Sequence, residues 1–354
     1  MTRTHQIALL PGDGIGGEVI DAGMTVLDAA GSRFGFELQT TEFDWNSERY
    51  GRTGAMMPDD GIETLRSFDA IYLGAVGSPD VPDHETLWGL LLPIRQKFDQ
   101  YVNLRPVRML PGVSSPLAGK NAGDIDMVCV RENSEGEYSG VGGRVHETMS
   151  HEVALQVDVF TREGVERIVR YAFDLAMTRR RHLTSITKSN AGRYAFVFWD
   201  EVVEEVASDY PDVEVDHVLV DAAAAFFVSR PESFDVVVGS NLFMDILTDI
   251  GAAVQGGMGF SASANINPGG DVPAMFEPVH GSAPDIAGRG ISNPIGAVWA
   301  GSQMLNHLGE TEAEAAVMDA VEAVLTAGEV RTPDMGGDAS TSEFGAAIAE
   351  RLSR

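Results

Sequence analysis

The chain of 354 residues contains a single cysteine, Cys129, which excludes a disulfide framework and any metal site built on clustered thiolates. Lysine is almost as scarce, with Lys97, Lys120 and Lys188 the only three among 25 cationic side chains. Set against 53 acidic residues, these leave a formal net charge of −28. Phosphate backbones and anionic membranes repel such a chain, so neither nucleic acid nor a membrane surface is expected as a partner. No apolar run approaches the roughly 18 residues that a membrane span needs, and the apolar stretch before Pro11 is too short for a signal peptide. The expectation is a soluble, cytoplasmic protein. The acid excess has two readings: a halophilic surface, whose self-repulsion a salt-rich cytoplasm screens, or a compositional bias of the genome. Hydrophobic residues make up 44% of the chain, enough to build one large core or two moderate ones.

Short apolar runs alternate with helical patterns. Residues 6–10, 69–76, 126–130, 182–187, 213–220 and 235–239 read as buried strands bounded by Gly, Asp or Pro. Residues 17–34, 161–180 and 196–210 carry apolar side chains three or four apart, and Thr161 is placed to cap the second of these helices. Strand–helix alternation predicts an α/β architecture with a largely parallel sheet. Residues 132–158 differ: Gly-rich turns separate β-prone pieces, as in an antiparallel hairpin arm projecting from the body. No linker is visible, so a second domain must be interleaved with the first.

Several segments carry chemistry. Gly12, Gly14 and Gly17 satisfy G-x-G-x-x-G after a strand, but Pro11 and Asp13 crowd the turn and no clear acid follows the second strand. A tight turn at the edge of another site is the better reading. Asp245 and Asp249, four apart in SNLFMDILTDIG with Asn241 at the cap position, fall on one helix face. Their repulsion is relieved by a cation between them, and hard oxygen ligands favour Mg²⁺ or Mn²⁺. A solvated acidic face is the alternative. Lys188 follows an apolar strand directly, where open α/β sheets place ligands, and suits a general base; a surface lysine at a turn is the alternative. Arg95, Arg105 and Arg131 sit among apolar neighbours, an arrangement suited to a di- or tricarboxylate. Pro93 interrupts the helical pattern before Arg95. The turn-rich segment 276–294 offers donors at His280, Gly281 and Ser282, and an acid, Asp285, suited to a ribose diol.

Taken together, FEPVHGSAPDIAGRGISNP (276–294), KSN (188–190), NLFMDILTD (241–249), NLRP (103–106) and VRENSEGEYSG (130–140) resemble the β-decarboxylating dehydrogenases. The resemblance runs in order from the GDGIG turn to about residue 308. That family oxidises (2R)-hydroxy acids bearing a second carboxylate. The resemblance implies an isopropylmalate-dehydrogenase-like, two-domain α/β/α fold, not a Rossmann fold, with a hairpin clasp arm. Residues 1–100 and 256–354 would form a large cofactor-binding domain, and 101–255 a small domain carrying the dimer interface and the arm. By the same resemblance Arg95, Arg105 and Arg131 hold substrate carboxylates, Tyr138 protonates the enolate and Lys188 assists deprotonation of the hydroxyl. Asp221, Asp245 and Asp249 match metal ligands for Mg²⁺ or Mn²⁺, with K⁺ as an accompanying cation. Lys188 and Asp221 would come from the partner subunit, so a homodimer, or a tetramer built from it, is implied. Glu277, His280, Gly281, Ser282, Ala283, Asp285 and Asn293 match cofactor contacts. An acid at 285 repels a 2′-phosphate and so favours NAD.

Substrate choice in the family lies in the helix before Arg95. The isocitrate enzymes carry Ser and Asn at the positions of Gly89 and Leu91. Their absence leaves a γ-carboxylate unpaired, which disfavours isocitrate. Leu91 and Leu92 would suit an isopropyl group, though the tartrate and D-malate enzymes look alike there, whereas the bulky Trp88 would fill that space and leave room only for a small C3 substituent. Residues 80–108, 131–147 and 182–190 look closest to the tartrate/D-malate branch, with 3-isopropylmalate as the alternative. A non-catalytic NAD-binding regulatory subunit would lack the Tyr, Lys or Asp residues, all of which are present.

Overall fold

The structure, a computed structural model, describes Arg3–Arg354. Its strands are β1 (Arg3–Gly12), β2 (Phe36–Glu42), β3 (Ala70–Ala75), β4 (Val102–Arg108), β5 (Asp126–Glu132), β6 (Gly142–Val145), β7 (Val153–Gln156), β8 (His182–Thr187), β9 (Glu214–Leu219), β10 (Val236–Gly239), β11 (Ala262–Ile266) and β12 (Ala274–Pro278). Each expected strand and helix is present, with ends shifted by a few residues. The chain divides into two compact units. One holds the residues up to Gln100, Arg108–Gly123 and Ala252–Arg354; the other holds Tyr101–Val107 and Asp124–Gly251. Residues 108–123 therefore group with the terminal segments, not with the central segment as expected. Arg108 anchors them, its backbone N–H donating to Gln255 Oε1 and its side chain to Glu322 at 2.7 Å.

In the first unit the strand order is β2-β1-β3-β12-β11. β1 pairs in parallel with β2 and β3, and β12 with β3, while β11 and β12 are antiparallel. The runs are continuous rather than alternating because both faces are covered, and β3 is buried at every position. The helix Gly16–Phe34 buries Val19, Ile20, Val26 and Leu27 and ends at Gly35 in the left-handed conformation. The carboxyl ends of β1, β3 and β12 lead into the GDGIG turn, the segment from Gly77 and the His280 loop respectively. That is the edge at which parallel sheets gather ligands.

The second unit has the order β4-β5-β10-β8-β9, with β5, β10, β8 and β9 all parallel. Helices Arg162–Met177 and Ala195–Ala207 bury Ile168, Phe173, Trp199 and Val203. Thr161 caps the first of them, accepting from the Gly164 N–H. In the arm β6 and β7 pair antiparallel from Gly142↔Gln156 to Val145↔Val153, and an isolated antiparallel bridge joins Gly136 to Val159 nearer the body. Val145, Met149, Val153 and Leu155 on this hairpin are all exposed.

Candidate active site

Four adjacent parallel strands of the second unit deliver Arg131, Lys188, Asp221 and the helix bearing Asp245 at their carboxyl ends, and β4 supplies Arg105. Arg131 lies at the end of β5 opposite Gly239. Lys188 follows β8, Asp221 follows β9, and the helix Asn241–Gln255 starts two residues after β10. Arg131 and Arg105 are almost wholly buried, so each needs a full set of acceptors. Arg131 donates from Nε and Nη2 to Asn241 Oδ1, at 3.0 and 2.6 Å, and from Nη1 to Asp245. Arg105 donates to Asn103 Oδ1 and Thr248 Oγ1, both at 2.7 Å, and lies 3.7 Å from Asp245. Tyr138 donates to Asp245 Oδ2 at 3.3 Å.

Asp245 is thus shared by two arginines and a phenol. Asp249, one turn on, has its carboxyl pushed above the usual range by burial and by the Asp245 charge, against the pull of Arg105 and Arg131. Burial and Asp245 also raise the Tyr138 phenol, so it remains a proton donor at neutral pH.

Asn241 does not cap its helix as expected. It begins the helix with its side chain committed to Arg131, and Glu137 takes the capping role. Glu137 accepts from the Leu242 N–H at 3.1 Å and the Ser240 hydroxyl at 2.7 Å. The roles of Asn103, Asn241 and Thr248 as arginine acceptors and of Glu137 as the helix cap were not read from the sequence. The first two were within reach of it, since Asn103 lies two residues before Arg105 on a strand and Asn241 four before Asp245 on a helix. Both spacings share a face.

Lys188 and Asp221 form a separate pair, Nζ to Oδ1 at 2.5 Å. That bond holds the Asp221 carboxyl below its ordinary range. Among the described residues no three His, Cys, Asp or Glu side chains gather as a metal site. Asp221 therefore does not join Asp245 and Asp249 within one chain.

The first unit carries the cofactor candidates. The GDGIG turn is a brace for the 280–290 loop. The Ile15 N–H donates to Ser282 O at 2.9 Å, and Glu18 Oε1 accepts from the Gly288 N–H at 2.6 Å. Gly14 has φ +57, and a Cβ there would collide with the Ser282 carbonyl. Asp13 accepts from the Ser47 N–H and hydroxyl and from the Gly77 N–H, each at 2.8 Å. On the loop Ser282 is buried, Gly281 and Asp285 are exposed, and Ala283 is strained at φ +41.

His280 Nδ1 faces Gly281 O, whereas its buried Nε2 has no partner. Burial lowers the imidazole pKa and keeps it neutral. Asn293 donates to Asp334 at 2.9 Å and accepts from the Ile295 N–H. Glu277, expected among the cofactor contacts, is ion-paired to Arg95 at 2.7 Å.

Pro93 reshapes its segment without ending it. It lacks an N–H and crowds the preceding turn, and Leu87–Leu91 forms a π-helical turn before the α-helix Leu92–Lys97. Trp88 on that turn is 42% exposed. Leu91 packs against the core cluster containing Met56, Leu90 and Ile94, so only part of it is open to a ligand.

The model of the isocitrate/isopropylmalate dehydrogenase family matches residues 6–348. A probable tartrate dehydrogenase/decarboxylase of Agrobacterium vitis is 53% identical over 352 residues, 99% of this chain and 98% of that protein. The D-malate dehydrogenase [decarboxylating] of Escherichia coli is 54% identical, covering all of both chains. Among solved structures, isocitrate dehydrogenase from Methylococcus capsulatus superposes with a TM-score of 0.89 at 35% identity, over 99% of this chain and all of that one. The expected fold and kinship both hold, and the chain belongs to the isocitrate/isopropylmalate dehydrogenase family of oxidoreductases.

Proposed function

We propose that this chain catalyses the NAD- and divalent-metal-dependent oxidative decarboxylation of a (2R)-hydroxy dicarboxylic acid, with D-malate or tartrate as substrate. The observation that carries the reading is the buried Arg105–Arg131 pair converging on Asp245 beside a protonated Tyr138. It combines carboxylate-binding donors, a hard-oxygen ligand and an acid in one cluster. The names of the full-length relatives agree with it.

The residues fit the groups that the reaction needs. Asp245 and Asp249 are like charges coupled on one helix face, a repulsion that Mg²⁺ or Mn²⁺ relieves. The unpartnered, buried His280 Nε2 and the exposed Asp285 fit the cofactor. When bound, NAD accepts hydride, and the metal ion polarises the hydroxyl and the developing carbonyl and enolate oxygens. Arg95, Arg105 and Arg131 bind and orient the substrate carboxylates. Lys188 takes the C2 hydroxyl proton, and Tyr138 returns a proton to the carbon left when carbon dioxide departs.

The first unit is assigned the cofactor, and the second the subunit interface with the hairpin as its clasp. Asp221 and Lys188 are assigned to the site of a partner copy, which makes the active form a homodimer or a multiple of it. K⁺ and a salt-adapted surface belong to the same reading. Initial rates of NAD reduction with D-malate, tartrate and 3-isopropylmalate, each with Mn²⁺ and with Mg²⁺, test the assignment. D-malate or tartrate should lead, and preference for 3-isopropylmalate contradicts it.

A further inference from the structure

The three arginines assigned to substrate are held differently. Arg105 and Arg131 share one carboxylate, the partly exposed Asp245, and are otherwise held by the amide and hydroxyl oxygens of Asn103, Thr248 and Asn241. Arg95, 5% exposed, rests on a carboxylate that is equally buried: its Nη2 donates to Oε1 of Glu277, 6% exposed, at 2.7 Å. The same oxygen accepts from Asn265 Nδ2 at 2.8 Å, and Asn265 also donates to the Met275 carbonyl. The antiparallel register explains the contact. Asn265 faces Met275 and Ser263 faces Glu277, so Asn265 and Glu277 are diagonal neighbours across β11 and β12. Glu277 is therefore fixed from the sheet side, and the guanidinium is fixed through it. Arg95 Nε is buried with no partner. A buried guanidinium anchored by one nitrogen with another N–H unmet is a planar fork with donors to spare for an anion.

We propose that Glu277 is a positioning residue for substrate binding, clamping Arg95 so that its remaining donors meet a substrate carboxylate, and that it is not a contact of the cofactor. The role rests on the reading of Arg95 as a carboxylate-binding residue. Three features support it. A buried arginine needs a counter-charge when no substrate is present. Both partners are rigidly placed, one on the Leu92–Lys97 helix and one on β12. Asn265 is the second donor that a clamp requires and that a freely reaching cofactor ligand does not.

The test is steady-state kinetics with D-malate, or with whichever of D-malate and tartrate turns over faster, for Glu277→Gln, Arg95→Met and the double variant. Glu277→Gln keeps an acceptor oxygen but removes the charge. It should raise KM for the hydroxy acid about tenfold or more and leave KM for NAD within about twofold. Because Glu277 acts through Arg95, the double variant should be no worse in hydroxy-acid KM than Arg95→Met alone. A rise in KM for NAD instead, or losses that multiply in the double variant, overturns the proposal. An unaltered hydroxy-acid KM in Arg95→Met refutes the role of Arg95 itself. That failure is distinct from one in which Arg95→Met behaves as expected and Glu277→Gln does not. Should Glu277→Gln fold poorly, Asn265→Ser loosens the same clamp without unpairing a charge. It should raise the hydroxy-acid KM about threefold with KM for NAD unchanged, and the reverse pattern contradicts the clamp.

Discussion

Asp285 stands exposed on a loop that Ile15 and Glu18 pin at Ser282 and Gly288, so its carboxylate is presented on a fixed backbone. In the proposed role it accepts from a ribose diol, and Asp285→Lys should raise KM for NAD about tenfold or more. Unchanged NAD kinetics would remove it from the cofactor site. Lys188 lies 2.5 Å from Asp221, with its side chain about a third exposed. Lys188→Met should lower turnover by about a thousandfold with scarcely any change in the unfolding midpoint, because partly exposed ion pairs contribute little. Retained turnover would show that the base lies elsewhere.

At the level of elements, the turn before Arg95 has no free room for the serine that the resemblance places in the isocitrate enzymes at position 89. A Cβ at Gly89 would lie 2.7 Å from Met56 Cγ, and Met56 is fully buried. Gly89→Ser should therefore cost about 1–3 kcal/mol of stability through overpacking and confer no isocitrate oxidation. A stable variant that oxidises isocitrate contradicts this packing argument.

Between the helix Ala195–Ala207 and β9, His217 lies 3.7 Å from Asp200 and 2.8 Å from Glu204. The neighbouring Asp200 and Glu204 carboxylates raise the imidazole pKa above 6.5, against the effect of burial. The folded state then binds the proton more tightly, so this stabilisation is complete below pH 6.5 and fades as pH rises through the raised value. Wild type should exceed His217→Gln in stability by about 1 kcal/mol at pH 6, with the gap closing by pH 8.5. A gap independent of pH refutes the linkage.

These elements also mark what the sequence could reveal. Strands such as 69–76 and 235–239 were legible because burial on both faces leaves continuous apolar runs. The Thr161 cap was legible because the bond to Gly164 is local. The commitment of Asn241 to Arg131, the pairing of Glu277 with Arg95 and the return of 108–123 to the first unit were not. Each joins residues far apart in the chain, and periodicity reports only on near neighbours.

At the scale of the whole molecule, a net charge of −28 makes the folded chain repel itself, and salt weakens that repulsion over a Debye length of about 8 Å at physiological strength. Stability should climb with KCl well beyond that strength if the surface is salt-adapted, and an early plateau favours genomic bias. The hairpin exposes Val145, Met149, Val153 and Leu155, and under the proposed homodimer it is the surface a second copy would cover.

In the proposed homodimer one copy supplies Asp245 and Asp249 while its partner supplies Lys188 and Asp221. Co-refolding inactive Lys188→Met chains with inactive Asp245→Asn chains tests this division. In a mixed dimer one site would receive both intact residues and the other neither. With half of the dimers mixed, activity should return to about a quarter of wild type. If each site were built within one chain, every site in the mixture would keep a defect, and no activity would return.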